Sequence, residues 1–100
     1  MRRGEVWTAS RFGHDRKVLI VGNESVARDR EGILVVPISD VLPPGLVEPV
    51  VRDVNGAVLG VAQTPRVGQV NKETLKARAG ALAPASVEIV DISLRTVLDL

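Results

Sequence analysis

The sequence predicts a mainly β protein, a small and strongly bent antiparallel barrel closed by a C-terminal helix. Short runs of branched apolar residues, such as Val18-Leu19-Ile20-Val21 and Ile33-Leu34-Val35-Val36, stand between polar and Gly/Pro/Asn-rich segments. Helical spacing enters only late, where Val87, Val90, Leu94, Val97 and Leu98 fall on one helical face. Strands and helices do not alternate as a parallel sheet would require, so tight-turned antiparallel strands remain.

The chain of 100 residues is the size of one domain, residues 1–100, with one hydrophobic core. Its 45% hydrophobic content includes one Trp, one Phe and no Tyr, so the core has to be built from Val, Leu, Ile and Ala. Without cysteine, disulfides, thiolate metal sites and thiol nucleophiles are excluded, and a reducing, cytoplasmic setting is expected. One histidine and unclustered Asp and Glu predict no metal site and no cofactor. No run approaches the roughly 18 apolar residues of a membrane span, so no membrane association is expected. The net charge of +1 is nearly neutral, but Arg2, Arg3, Arg11, Arg16 and Lys17 outnumber Glu5 and Asp15 in residues 1–17. A second basic stretch, Arg66 to Arg78, holds Lys72 and Lys76 against Glu73.

Glu5 to Ala9, alternating around Val6 and Trp7, predicts a first strand, and Ser10 to Asp15 a polar loop. Lys17 to Asn23 is the second strand; its continuous apolar run suits a strand covered on both sides. Asn23 or Ser25 caps a helical turn that ends at Gly32, and Ile33 to Ser39 is the third strand. Leu42-Pro43-Pro44-Gly45 forces a turn, because two prolines lack the amide donor. Val47 to Arg52 is strand-like, with Pro49 suited to an edge or bulge. Asn55-Gly56 predicts a type I′ hairpin turn into Ala57 to Gln63. Val67 to Asn71 reads as the last strand, and Asn71 to Leu75 as a capped short helix ending before Gly80. Pro84 opens the final helix, on which Asp91 and Arg95 form an exposed pair four residues apart.

The second and third strands carry the candidate chemistry. If they pair antiparallel, Arg16 at the start of one and Ser39 at the end of the other converge at one rim. The plainer alternatives are an arginine paired with Asp15, a serine capping a turn, and for His14 an ordinary loop histidine. Trp7 is most simply a core residue.

Four segments together resemble the MazF/PemK toxins of bacterial type II toxin-antitoxin systems. Arg3-Gly4-Glu5-Val6-Trp7 is similar to the family's first strand, Arg16-Lys17-Val18-Leu19-Ile20-Val21 to its second, and Val35-Val36-Pro37-Ile38-Ser39 to its third. Gly80-Ala81-Leu82-Ala83-Pro84 and the helix ending Val97-Leu98-Asp99-Leu100 resemble its closing pattern. The resemblance implies an SH3-like β-barrel, a homodimer, a cognate antitoxin, and metal-independent cleavage of single-stranded RNA by 2′-hydroxyl attack on the phosphate. It sets Arg16 on the catalytic arginine and Ser39 on the catalytic threonine or serine.

A guanidinium suits phosphate oxygens, and a hydroxyl can donate to the same group. His14 is a further acid/base candidate from its proximity to Arg16, being of the one type here that titrates near neutral pH. Arg11, Lys17 and Arg66 are candidate RNA contacts. Lys17 stands where the family usually has proline. Two other readings stay open: a toxin of the same fold that binds DNA gyrase, and a member that only binds antitoxin or nucleic acid. The gyrase-binding CcdB proteins end in Trp-Gly-Ile, whereas this chain closes on Leu98-Asp99-Leu100.

Overall fold

The predicted apolar runs become strands, but pairing extends well beyond them, because the backbone ladder needs no apolar side chain. A computed structural model describes residues 1–11 and 13–100, apart from the Arg11 side chain. The elements are β1 (Glu5–Arg11), β2 (His14–Ile20), α1 (Glu24–Ala27), β3 (Gly32–Ser39), β4 (Val50–Arg52) and β5 (Val58–Ala62). A 3-10 turn (Thr64–Arg66), β6 (Gly68–Asn71), a second 3-10 turn (Lys72–Thr74), β7 (Leu75–Ala81) and α2 (Pro84–Leu98) follow.

The strands run in the order β4-β5-β3-β2-β1-β7, with β6 also on β3, and every pairing is antiparallel. Closure comes from an Asp53↔Leu82 bridge, supported by Val54 N–H to Ala81 C=O at 3.2 Å and Ala83 N–H to Arg52 C=O at 3.0 Å. These bonds bring the end of β7 back to the β4–β5 hairpin and curl the sheet into the expected barrel. β3 is its pivot, paired along one edge with β2 and along the other with β6 and then β5.

Alternation along β3 divides the core. Val36 and Ile38 join Val6, Leu19, Val51, Ala62 and Leu82 beneath Val90 and Leu94 of α2. Ile33 and Val35 face the other way, with Ala9, Val18, Ile20 and Leu75, and with Trp7 and Val70 at the margin. This two-sided burial is what the continuous apolar runs predict, at about 2 kcal/mol for each fully buried aliphatic side chain. On α2 the predicted face is buried at Val90 and Leu94, but Leu98 in the last turn is exposed.

Several local expectations change. The segment Ser10 to Asp15 is the far end of the β1–β2 hairpin, paired through Ser10↔Asp15 and Arg11↔His14, so Arg16 sits inside β2 and not before it. Only Val50–Arg52 of the Val47–Arg52 segment is strand. The Asn55-Gly56 turn is not type I′, since Gly56 alone takes positive φ (85°). Asp53 replaces that requirement by accepting the N–H groups of Asn55 (2.9 Å) and Ala57 (3.0 Å) on its carboxylate.

Asn71 caps as predicted, but for one 3-10 turn only. The alternating small and charged residues after it form β7 on β1, a strand with too few large apolar side chains to announce itself. Asn23 caps α1, accepting from Ser25 N–H at 2.8 Å. Asp91 pairs with Arg3 instead of Arg95, joining α2 to the segment before β1.

Candidate active site

Residues two apart on a strand share a face, so His14, Arg16 and Val18 point together from β2. Val18 is the cross-strand partner of Pro37, which brings Pro37 and Val35 of β3 to the same side. Along the other edge of β3, the strand β6 together with Arg66 and Thr74 completes the lining. The result is a cleft of about 570 Å³ whose floor includes Val18, Val35 and Pro37 and whose walls carry Arg16, His14 and Arg66. The described residues lining it include no Asp or Glu, so its charge is uncompensated and positive. Such a cleft attracts an anion, while its apolar floor accepts a flat, weakly hydrated group.

Asp15 does not neutralise Arg16. It lies on the other face of β2 and receives Lys76 Nζ at 3.0 Å. Among the described residues, no carboxylate lies within ion-pair distance of Arg16.

Ser39 is not part of the cleft lining. Its Oγ accepts the N–H groups of Val41 (3.3 Å) and Leu42 (3.1 Å), which makes it the cap of the turn leaving β3. The β2–β3 ladder would set Arg16 opposite Ser39 if it continued, but it ends at Val18↔Pro37. Past that rung β3 is engaged by β5, through Ile38↔Ala62 and Ser39↔Val61, with Gln63 N–H on Pro37 C=O at 2.8 Å. The two residues therefore share a side of the sheet without becoming ladder partners.

Lys17, opposite Thr8 in the β1–β2 pairing, faces away from the cleft. The Arg11 side chain lies outside the described residues. Sequence reasoning did not find the wall formed by Gly68 to Asn71 and Thr74. Its strand character was legible, but its place beside Arg16 depends on how the sheet curls. Among the described residues, no group of three or more His, Cys, Asp or Glu side chains is arranged to hold a metal ion. No helix of the described residues is long and apolar enough to cross a membrane.

No protein-family model matches the chain. No curated protein matches it either. Solved structures do. An endoribonuclease in complex with its cognate antitoxin, from a mycobacterial species, superposes with a TM-score of 0.89 at 19% identity, covering 100% of this chain and 96% of that one. A MazE-MazF complex from Deinococcus radiodurans gives 0.86 at 12% identity, over 100% and 96% of the two chains. The Mycobacterium tuberculosis toxin MazF-mt6 gives 0.77 at 19% identity, over 96% and 97%. With both chains matched almost from end to end at these scores, the polypeptide has the MazF fold, an antiparallel β-barrel carrying a C-terminal helix.

Proposed function

We propose that this chain is a MazF/PemK-type toxin, an endoribonuclease that cuts single-stranded RNA in the cleft between β2 and β6. The observation that carries the reading is the convergence of Arg16, His14 and Arg66 on an apolar floor, with no carboxylate among the described lining residues. Fold likeness to endoribonucleases supports it. Lys17, which stands where the family usually has proline, faces away from the cleft.

In the proposed reaction the ribose 2′-oxygen forms a bond to phosphorus as the bond from phosphorus to the 5′-oxygen breaks. The 2′-hydroxyl proton leaves to a base and the departing 5′-oxygen gains one, so the products are a 2′,3′-cyclic phosphate and a 5′-hydroxyl. The nucleophile is supplied by the substrate, and the reaction is metal-independent. Arg16 holds the non-bridging oxygens and the charge that grows on them. His14, two residues away on the same face, carries the proton to or from the reacting oxygens. Arg66 binds a neighbouring phosphate. Ser39, whose oxygen accepts two N–H groups of the turn, retains an O–H as a donor and assists from the rim. A homodimer, a cognate antitoxin and a cytoplasmic setting complete the reading.

The test is incubation of the purified protein with mixed-sequence single-stranded RNA in EDTA, beside Arg16→Ala and Ser39→Ala. Cuts ending in cyclic phosphate, slowed at least about 100-fold by Arg16→Ala, are expected. Intact RNA under all conditions would overturn the assignment.

A further inference from the structure

The direction of each amide along β3 assigns the polar groups of β6 to one edge or the other. Val21 N–H donates to Leu34 C=O at 3.1 Å, so Leu34 and Val36 turn their backbone groups toward β2. Ile33 and Val35 turn theirs toward β6 and meet Val70 and Gly68. Lys72 N–H on Glu31 C=O at 2.8 Å continues the alternation. Gln69 and Asn71 are therefore the non-hydrogen-bonded partners of Leu34 and Gly32, and their N–H and C=O groups leave from the outer edge of β6. Among the described residues that edge pairs with no strand, and both residues line the cleft beside His14 and Arg16.

The Asn71 C=O is already occupied by the Thr74 hydroxyl at 2.7 Å. Among the described residues, Gln69 N–H and C=O and Asn71 N–H have no such partner. In an extended strand the C=O of one residue and the N–H two residues later point the same way, side by side. Together they form an acceptor-donor couple of the size of one nucleobase edge.

We propose that this edge of β6 reads one unstacked base of the RNA, the Gln69 C=O accepting from a base N–H and the Asn71 N–H donating to the adjacent ring nitrogen or carbonyl. The inference rests on the RNA reading above and adds how that site selects sequence. A base fits the edge better than a peptide strand does, because the free run ends after one couple, where the chain turns at Lys72. Recognition through the backbone also frees the two side chains from that role. The Gln69 side chain leans over Gly32, where a β-carbon would strike it, and the Asn71 Oδ1 caps Glu73 N–H at 3.0 Å.

Asn71→Pro isolates the effect. The φ of −72° at Asn71 already suits proline, and Val70 before it is extended. Asn71→Ala removes the same cap and keeps the N–H, so it is the control. On a randomised single-stranded RNA, Asn71→Pro is expected to lose about 10-fold or more of the discrimination at one base position, with Asn71→Ala and Gln69→Ala close to wild type. On wild-type protein, amide NMR signals of Gln69 and Asn71 are expected to move on titration with a fully 2′-O-methylated RNA, which cannot be cut.

Wild-type preference retained in Asn71→Pro, or static Gln69 and Asn71 amides while the RNA binds, would overturn the inference and leave the nuclease reading standing. Amides that move without any cleavage of ordinary RNA would support the inference and remove the nuclease. Amides that move with polyglutamate but not with RNA would overturn it in favour of a peptide surface. If the proline variant does not fold, the wild-type titration decides.

Discussion

Gly60 of β5 passes so close to Ser39 of β3 that a β-carbon on it would collide with the Ser39 carbonyl oxygen and lie 3.0 Å from Ile38 Cγ2. Its φ of +142° is a conformation that L side chains rarely adopt. The end of β3, and with it the rim beside the cleft, is held in place by this close approach. Gly60→Ala is expected to destabilise the protein by about 3 kcal/mol, combining backbone strain with a backbone clash. Gly56→Ala, at positive φ but in open space, is expected to cost only about 1 kcal/mol. Urea denaturation of both variants checks the difference; equal losses would contradict it.

The Ser39 hydroxyl accepts two backbone N–H groups, so its first duty is to the turn that follows β3. Ser39→Ala is expected to lower stability by about 1 kcal/mol and to slow RNA cleavage much less than Arg16→Ala does. Equal losses of cleavage would place the Ser39 hydroxyl in the reaction on the same footing as the guanidinium.

His14 and Arg16 share the cleft-facing side of β2. If His14 moves a proton, His14→Ala should lower kcat by about 100-fold or more with little change in KM. An unchanged kcat would reduce His14 to a phosphate contact.

Glu5 anchors the edge of the barrel where β1 meets β7. Burial pushes its carboxyl up, but the Arg2 N–H (2.6 Å), the Trp7 indole N–H (3.4 Å), the Arg78 guanidinium (2.9 Å) and the N-terminal ammonium outweigh this and hold it below the ordinary range. Because the folded value is the lower one, the contribution is complete above the unfolded glutamate value of about 4.3 and is lost as pH falls through the folded value. Wild type should therefore lose more stability than Glu5→Gln between pH 5 and the folded value. Urea midpoints measured across that range test this; parallel curves would remove Glu5 from the acid response.

Local pattern was enough for elements whose formation depends on near neighbours. The branched runs of β2 and β3, the Asn23 and Asn71 caps and the Pro84 start of α2 are all legible in this way. It failed at β7, whose small and charged residues are strand only because β1 lies beside them. It failed too at Asp91, which finds Arg3 from a distant part of the chain.

Arg16 and Ser39 mark the same division. Their places at the ends of two successive apolar runs made both candidates for one rim, and the resemblance to the MazF/PemK toxins gave them their expected roles. Only the tertiary structure decided that β3 passes from β2 to β5 after Pro37, which leaves Ser39 capping a turn and keeps Arg16 in the cleft with His14 and Arg66. It also placed the edge of β6 that pairs with no strand among the described residues in the same cleft as Arg16, a juxtaposition set by long-range pairing and the curl of the sheet, which no local pattern encodes.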